Sequence, residues 1–123
     1  MKLCKLLELV TIIFLAAAFE VHAQPSRGTR HLGVLMYLKE NDPESKIYLD
    51  AFDQNLKKLG WTAGRNLRID YRWSGGDAER ARKYASELVA LGPDVILGAG
   101  GAMGVAPLQR ATHTIPIVFR SGR

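Results

Sequence analysis

Asn66-Leu-Arg-Ile-Asp-Tyr-Arg-Trp-Ser-Gly-Gly-Asp77 changes its hydrophobic period at Ser74, and that change sets the architecture. Before it, Leu67, Ile69, Tyr71 and Trp73 alternate with Arg68, Asp70 and Arg72, the period of two that marks a strand with one wetter face. After the turn Ser74-Gly-Gly76, Asp77 serves as an N-cap, and Ala81, Tyr84, Ala85, Leu88 and Leu91 recur at the spacing of a helix with one buried stripe. Gly92-Pro93 stops the helix, and Asp94-Val-Ile-Leu-Gly98 follows as an apolar strand. Strand, helix and strand joined by short turns make a parallel βαβ unit.

The flanks repeat the unit. Upstream, Leu32-Gly-Val-Leu-Met-Tyr-Leu38 is a nearly continuous apolar run, as a strand covered on both faces requires. Lys39-Glu-Asn-Asp-Pro43 ends it, with Asp42 as N-cap and Pro43 in the first helical position. From Glu44 to Leu59, Tyr48, Ala51, Phe52, Leu56 and Leu59 form a helical stripe that Gly60 closes. Downstream, the loop Gly98-Ala-Gly-Gly-Ala-Met-Gly104 leads to a helix from Val105 to Thr112, with Pro107 tolerated in its first turn, and Ile115-Pro-Ile-Val-Phe119 is a fourth strand.

This alternation predicts an α/β fold with a doubly wound parallel sheet. The wetter second strand belongs at an edge, which gives the order 2-1-3-4. Ligands of such sheets bind at the carboxyl ends of the strands, beside the switch between strands one and three. The tips there are Leu38 to Asn41, Gly98 to Met103 and Arg120 to Gly122.

The first 23 residues stand apart from this pattern. Lys2 and Lys5 precede an apolar stretch from Leu6 to Phe19, and Val21-His22-Ala23 ends it with a small residue where signal peptidase cuts. The stretch is shorter than the roughly 20 residues of a stable span, carries Glu8 near its start and meets Glu20 at its end. A cleaved signal peptide over residues 1–23 is therefore expected, with an N-terminal anchor as the alternative; a flexible leader covers 24–30 and the folded part covers 31–123. Cys4, the only cysteine, precedes the cleavage site, so the mature chain has no thiol for disulfides, zinc or nucleophilic attack.

The chain has 123 residues, 47% hydrophobic and 24% charged, enough for one small core. It carries 17 Lys+Arg against 12 Asp+Glu, and removing Lys2, Lys5, Glu8 and Glu20 leaves 15 against 10 with the same net charge of +5. In an exported chain this basicity does not point to nucleic acid. Arg65, Arg68, Arg72, Arg80, Arg82 and Lys83 read as a solvated basic face or a surface for an acidic partner, while Trp61, Tyr71, Trp73 and Tyr84 read as core packing.

Motifs for chemistry are missing. The glycine loop is no dinucleotide fingerprint, because Met103 stands where the third glycine belongs and the loop follows the third strand rather than the first. It either offers backbone donors to a carboxylate or polar group, or makes a tight turn. His31 and His113 fall at the amino ends of strands, as surface residues, and no Gly-x-Ser-x-Gly elbow, His-Glu-x-x-His or P-loop occurs. No catalytic residue, metal site or cofactor is expected.

Several blocks in order resemble one family: Gly64-Arg-Asn-Leu-Arg-Ile-Asp-Tyr-Arg-Trp-Ser-Gly-Gly76, Ala85-Ser-Glu-Leu-Val89, Pro93-Asp-Val-Ile-Leu97 and Ala106-Pro-Leu-Gln-Arg-Ala-Thr-His-Thr-Ile-Pro-Ile-Val-Phe119. They are similar to ABC-transporter substrate-binding proteins related to tryptophan- and tyrosine-binding lipoproteins, across His31 to Phe119. The resemblance implies a type I periplasmic-binding fold, in which two lobes close over a small solute such as an amino acid. A membrane permease is the implied partner and the periplasm the implied location. Carried over by position, the ligand-binding residues are Leu38, Lys39, Glu40, Gly100, Gly101, Ala102 and Ser121. Where family members continue with a small-residue, Gly-Asp-Pro-like loop, this chain reads Arg120-Ser-Gly-Arg123. Residues 31–123 are thus expected to be a truncated, partial first lobe. An exported α/β enzyme of hydrolase or flavodoxin type, or an inactive truncated product, are the alternatives.

Overall fold

The computed structural model describes residues 28–120. Its elements follow in the order β1 (Arg30–Met36), α1 (Pro43–Lys58), β2 (Leu67–Trp73), α2 (Ala78–Ala90), β3 (Val95–Ala99), α3 (Ala102–Ala111) and β4 (Ile117–Phe119). The strands form one sheet, β2-β1-β3-β4, with every neighbouring pair parallel. The doubly wound α/β sheet and its strand order are those expected. The expected signal peptide and most of the expected leader lie outside the described residues.

β1 is central, and its apolar run serves both faces. Leu32, Val34 and Met36 join Leu67 in one core, against which Phe52, Leu56 and Trp61 pack. Leu35 points the other way, into a core with Ile96, Ala85, Leu88 and Leu108 supplied by β3, α2 and α3. Helices thus cover both faces, which is why β1 shows no polar alternation. On β2, Ile69, Tyr71 and Trp73 pack against the α1-side core, with the Tyr71 and Trp73 rings stacked at 6.0 Å.

Capping follows the sequence at two helices. The Asp42 carboxylate accepts from the Glu44 amide at 2.9 Å, with Pro43 in the first turn of α1, and the Asp77 carboxylate accepts from the Arg80 amide at 3.0 Å at the start of α2. Each satisfies a backbone donor that the helix cannot.

Three local expectations are corrected. The α1 stripe is narrower than the periodicity implied: Phe52 and Leu56 reach the core, whereas Tyr48 and Ala51 are exposed and Leu59, past the helix end, is 76% exposed. Helix α3 begins at Ala102 rather than Val105, so Pro107 stands inside it rather than in its first turn. The cause is the pair Gly100 and Gly101, at φ 112° and 65°, which turns the chain back directly after β3. The last strand is shorter than expected, Ile117–Phe119, because Thr112 folds the approach into a turn by accepting the amides of Thr114 and Ile115.

Candidate functional site

The carboxyl ends of β1, β2 and β3 are drawn together by backbone contacts. The Tyr37 amide donates to the Ala99 carbonyl at 3.1 Å, joining the tip of β1 to the end of β3. Buried Ser74 joins β2 to β1, donating to the Met36 carbonyl from its amide at 2.8 Å and from its hydroxyl at 3.1 Å. The loop after β1 is organised on the Lys39 carbonyl, which accepts the Ser45 hydroxyl at 2.7 Å and the Asp42 amide at 3.1 Å.

Tyr37 is the residue that sequence reasoning missed. A Cβ on Gly100 would lie 2.3 Å from the Tyr37 Cβ, and a Cβ on Gly76 would lie 3.3 Å from its hydroxyl. The side chain therefore lies against both glycine turns, after β2 and after β3. Counting it with the apolar run of β1 concealed this; the strand ends one residue earlier, at Met36. The signal was available in the two glycine pairs, Gly75-Gly76 and Gly100-Gly101, which leave room for a large neighbour.

Of the predicted ligand residues, Gly100, Gly101 and Ala102 are brought to the tip of β1. Gly101 is the N-cap of α3, and no side chain caps that helix. Its first-turn amides and the positive end of its dipole are aimed at the carboxyl edge. Leu38 is half-buried, and Lys39 and Glu40 are exposed. The Lys39 stem lies against the turn after β2, 3.1 Å from the position of a Cβ on Gly75. Ser121 lies outside the described residues.

Beside these tips a furrow of about 210 Å³ opens between α2 and α3, with Tyr37, Ser74 and Ala102 at its upper end. A larger depression, about 420 Å³, lies along β2 and includes Asp53, Gly64, Arg68 and Tyr71. It contains no strand tip at the carboxyl edge and no helix start. Its charged residues are already engaged, Asp53 with Lys57 at 2.9 Å and Arg68 with Asp70 at 3.1 Å.

The amino edge holds a different cluster, and here the expectation of two surface histidines is corrected. His113 is exposed, but the His31 ring is only 15% exposed and its Nε2 donates to Asp70 at 2.5 Å. Burial pushes the Asp70 carboxyl up, but the His31 hydrogen bond together with the Arg68 and His31 charges outweighs it, and the group titrates below the usual carboxylate range. The glycine loop lies at the opposite end of the strands from this pair. Among the described residues no group of three His, Cys, Asp or Glu could hold a metal ion.

Residues 33–122 match the model of a family described as ABC transporter substrate binding protein. The fold is similar to a ligand-free, open substrate-binding protein with adhesive properties from Clostridium difficile, at 22% identity and a TM-score of 0.65, covering 74% of this chain and 30% of that one. It is similar to a conserved domain protein from Vibrio cholerae at 33% identity and a TM-score of 0.61, with 74% and 30% covered. A third structure is the ABC domain in complex with L-Trp from Streptococcus pneumoniae, at 23% identity and a TM-score of 0.66, with 75% and 30% covered. The chain spans less than a third of the length of these relatives. No curated protein matches the sequence. Because the matched residues run from within β1 past the end of β4, the match rests on the whole described sheet rather than on one motif, and the chain belongs to the ABC transporter substrate-binding protein family.

Proposed function

We propose that this chain is part of the first lobe of the solute-binding component of an ABC import system. It takes a small molecule such as an amino acid outside the cytoplasmic membrane and serves a membrane permease, by binding alone and without a chemical step. The observation that carries this reading is the uncapped start of α3 at Gly101, held beside the tip of β1 at the carboxyl edge. Backbone donors at a helix start suit a carboxylate, and in sheets of this topology the edge between strands one and three is where ligands sit. Leu38, Lys39, Glu40, Gly100, Gly101, Ala102 and Ser121 form the ligand edge in this reading, with Tyr37 as the platform on which the glycine turn rests. Lys2, Lys5, the apolar stretch and Val21-His22-Ala23 support export to the periplasm, so the recovered protein should begin at Gln24.

Glycine 101 itself is a poor probe, since any side chain at φ 65° is strained whatever it does to binding. Ala102 is exposed and helical, so Ala102→Trp blocks the edge without that strain. Calorimetric titration of the full-length gene product with amino acids, starting with the L-tryptophan held by the streptococcal relative, should show binding that Ala102→Trp removes while the melting curve persists. Unchanged affinity in that variant sinks the site.

A further inference from the structure

The furrow between α2 and α3 has an apolar floor and two cations on its walls. Ala81, Ala106 and Pro107 line its sides and floor, Met103 lies beside them, and Arg82 and Arg110 stand on opposite helices. Met103 and both arginines are exposed.

The ion pairs among the described residues lie elsewhere. They join Arg30 to Asp94, His31 and Arg68 to Asp70, Lys46 to Asp50, Lys57 to Asp53 and Arg72 to Glu87. None reaches Arg82 or Arg110. The one carboxylate in the furrow, Asp77, is occupied by the Arg80 amide, a hydrogen bond that also draws its pKa down. Of the other acids on α2, Glu87 is bound to Arg72 at 3.1 Å, and Glu79 makes no ion pair with Arg82 or Lys83 although both are one turn away. A place in the last turn of α3 favours a cation through the helix dipole, which accounts for Arg110 but not for Arg82 facing it across the furrow.

We infer that this furrow is a docking surface for an acidic, extended polypeptide segment of a protein partner. At about 210 Å³ it is smaller than the roughly 300–1,000 Å³ of pockets that enclose a small ligand, but it accommodates one or two side chains of a segment laid along it. Arginine and methionine beside a small apolar floor are the residue types enriched where proteins meet. Two unpaired cations steer a segment of opposite charge and set its register. The surface adjoins the proposed solute edge at Tyr37 and Ala102 and extends beyond it along α2 and α3, where Ala81, Arg82, Ala106, Pro107 and Arg110 lie.

The test uses the purified chain and two labelled pentapeptides, Glu-Leu-Glu-Leu-Glu and Lys-Leu-Lys-Leu-Lys, followed by fluorescence anisotropy with no solute present. The acidic peptide should bind, weaken as salt rises, and outcompete the basic one. R82E/R110E should weaken it by about tenfold or more, while R82K/R110K keeps most of the affinity. If the charge-reversed chain does not fold, Ala106→Trp, which fills the floor without changing charge, should give the same loss. Equal binding of both peptides, or unchanged affinity in R82E/R110E or Ala106→Trp, overturns the proposal. So does displacement of the peptide by free glutamate at the peptide's own concentration, which would mark a small-anion site. Preferential saturation by anionic lipid vesicles would assign the face to a membrane and likewise overturn it.

Discussion

Asp70 shows how one residue reverses the usual effect of burial. Its partial burial opposes charge, yet His31 and Arg68 converge on the same carboxylate oxygen and hold the pKa below the usual value. A folded pKa below the unfolded one, about 3.9 for Asp, stabilises the native state above the unfolded value. That contribution is lost as pH falls through the folded value. Asp70→Asn should therefore be less stable than the parent at pH 7, and the difference should close as the pH drops below about 4. Urea denaturation of both chains across that range measures it; a gap that stays constant would show that the lost hydrogen bond alone matters. Tyr71 moves in the opposite direction, raised by its burial and by the nearby Asp53 charge, so its phenol stays neutral through the same range.

At the scale of the element, helix α3 is set by close approach as much as by helix propensity. A Cβ on Gly104 would stand 2.7 Å from the Ala99 carbonyl oxygen and 3.1 Å from its carbon, both backbone atoms that cannot rotate away. Gly104→Ala should push α3 off the end of β3 and cost about 1–3 kcal/mol, the range for overpacking, even though alanine is the better helix former. Chemical denaturation should show the loss; a gain in stability would mean that the helix start can slide. Helix α2 is held by its buried side instead. Leu88 is fully buried in the core between α2, β1 and β3, and Leu88→Ala should cost about 2–5 kcal/mol. Taken from the roughly 5–15 kcal/mol of a whole domain, that should lower the urea midpoint followed by far-ultraviolet circular dichroism; an unchanged midpoint would show that the core closes over the gap.

For the whole molecule, the two sides of the sheet differ. The α2 and α3 side is closed by two helices, while among the described residues α1 is the one helix on the other side, and Ile47 remains 67% exposed. Among the described residues β4 is paired on one edge only, to β3, and Val118 and Phe119 are each 54% exposed. A short apolar strand with a free edge is a template for pairing with another chain. The purified chain should scatter light increasingly with concentration, and Val118→Lys should suppress this while leaving the melting temperature within a few degrees, roughly the effect of a surface change. Self-association that ignores the lysine would locate the sticky surface elsewhere.

Sequence by itself determined the parallel sheet and its order. The alternation of Leu67, Ile69, Tyr71 and Trp73 shows a strand with one wet face, and the unbroken run from Leu32 shows one covered twice; periodicity along the chain carries that information directly. What periodicity cannot carry is who stands opposite. The apolar stripe of α1 marks residues able to be buried, but only the breadth of sheet beneath it decided that Phe52 and Leu56 pack while Tyr48 and Ala51 stay exposed. His31 meets Asp70 because the parallel register sets Gly33 against Asp70 and so leaves His31 diagonal to it. Tyr37 is held at the carboxyl edge because two glycine turns, distant in sequence, close around it. Strand register and the approach of loops are relations between segments, set by packing many contacts at once, and they are written in no single stretch of the chain.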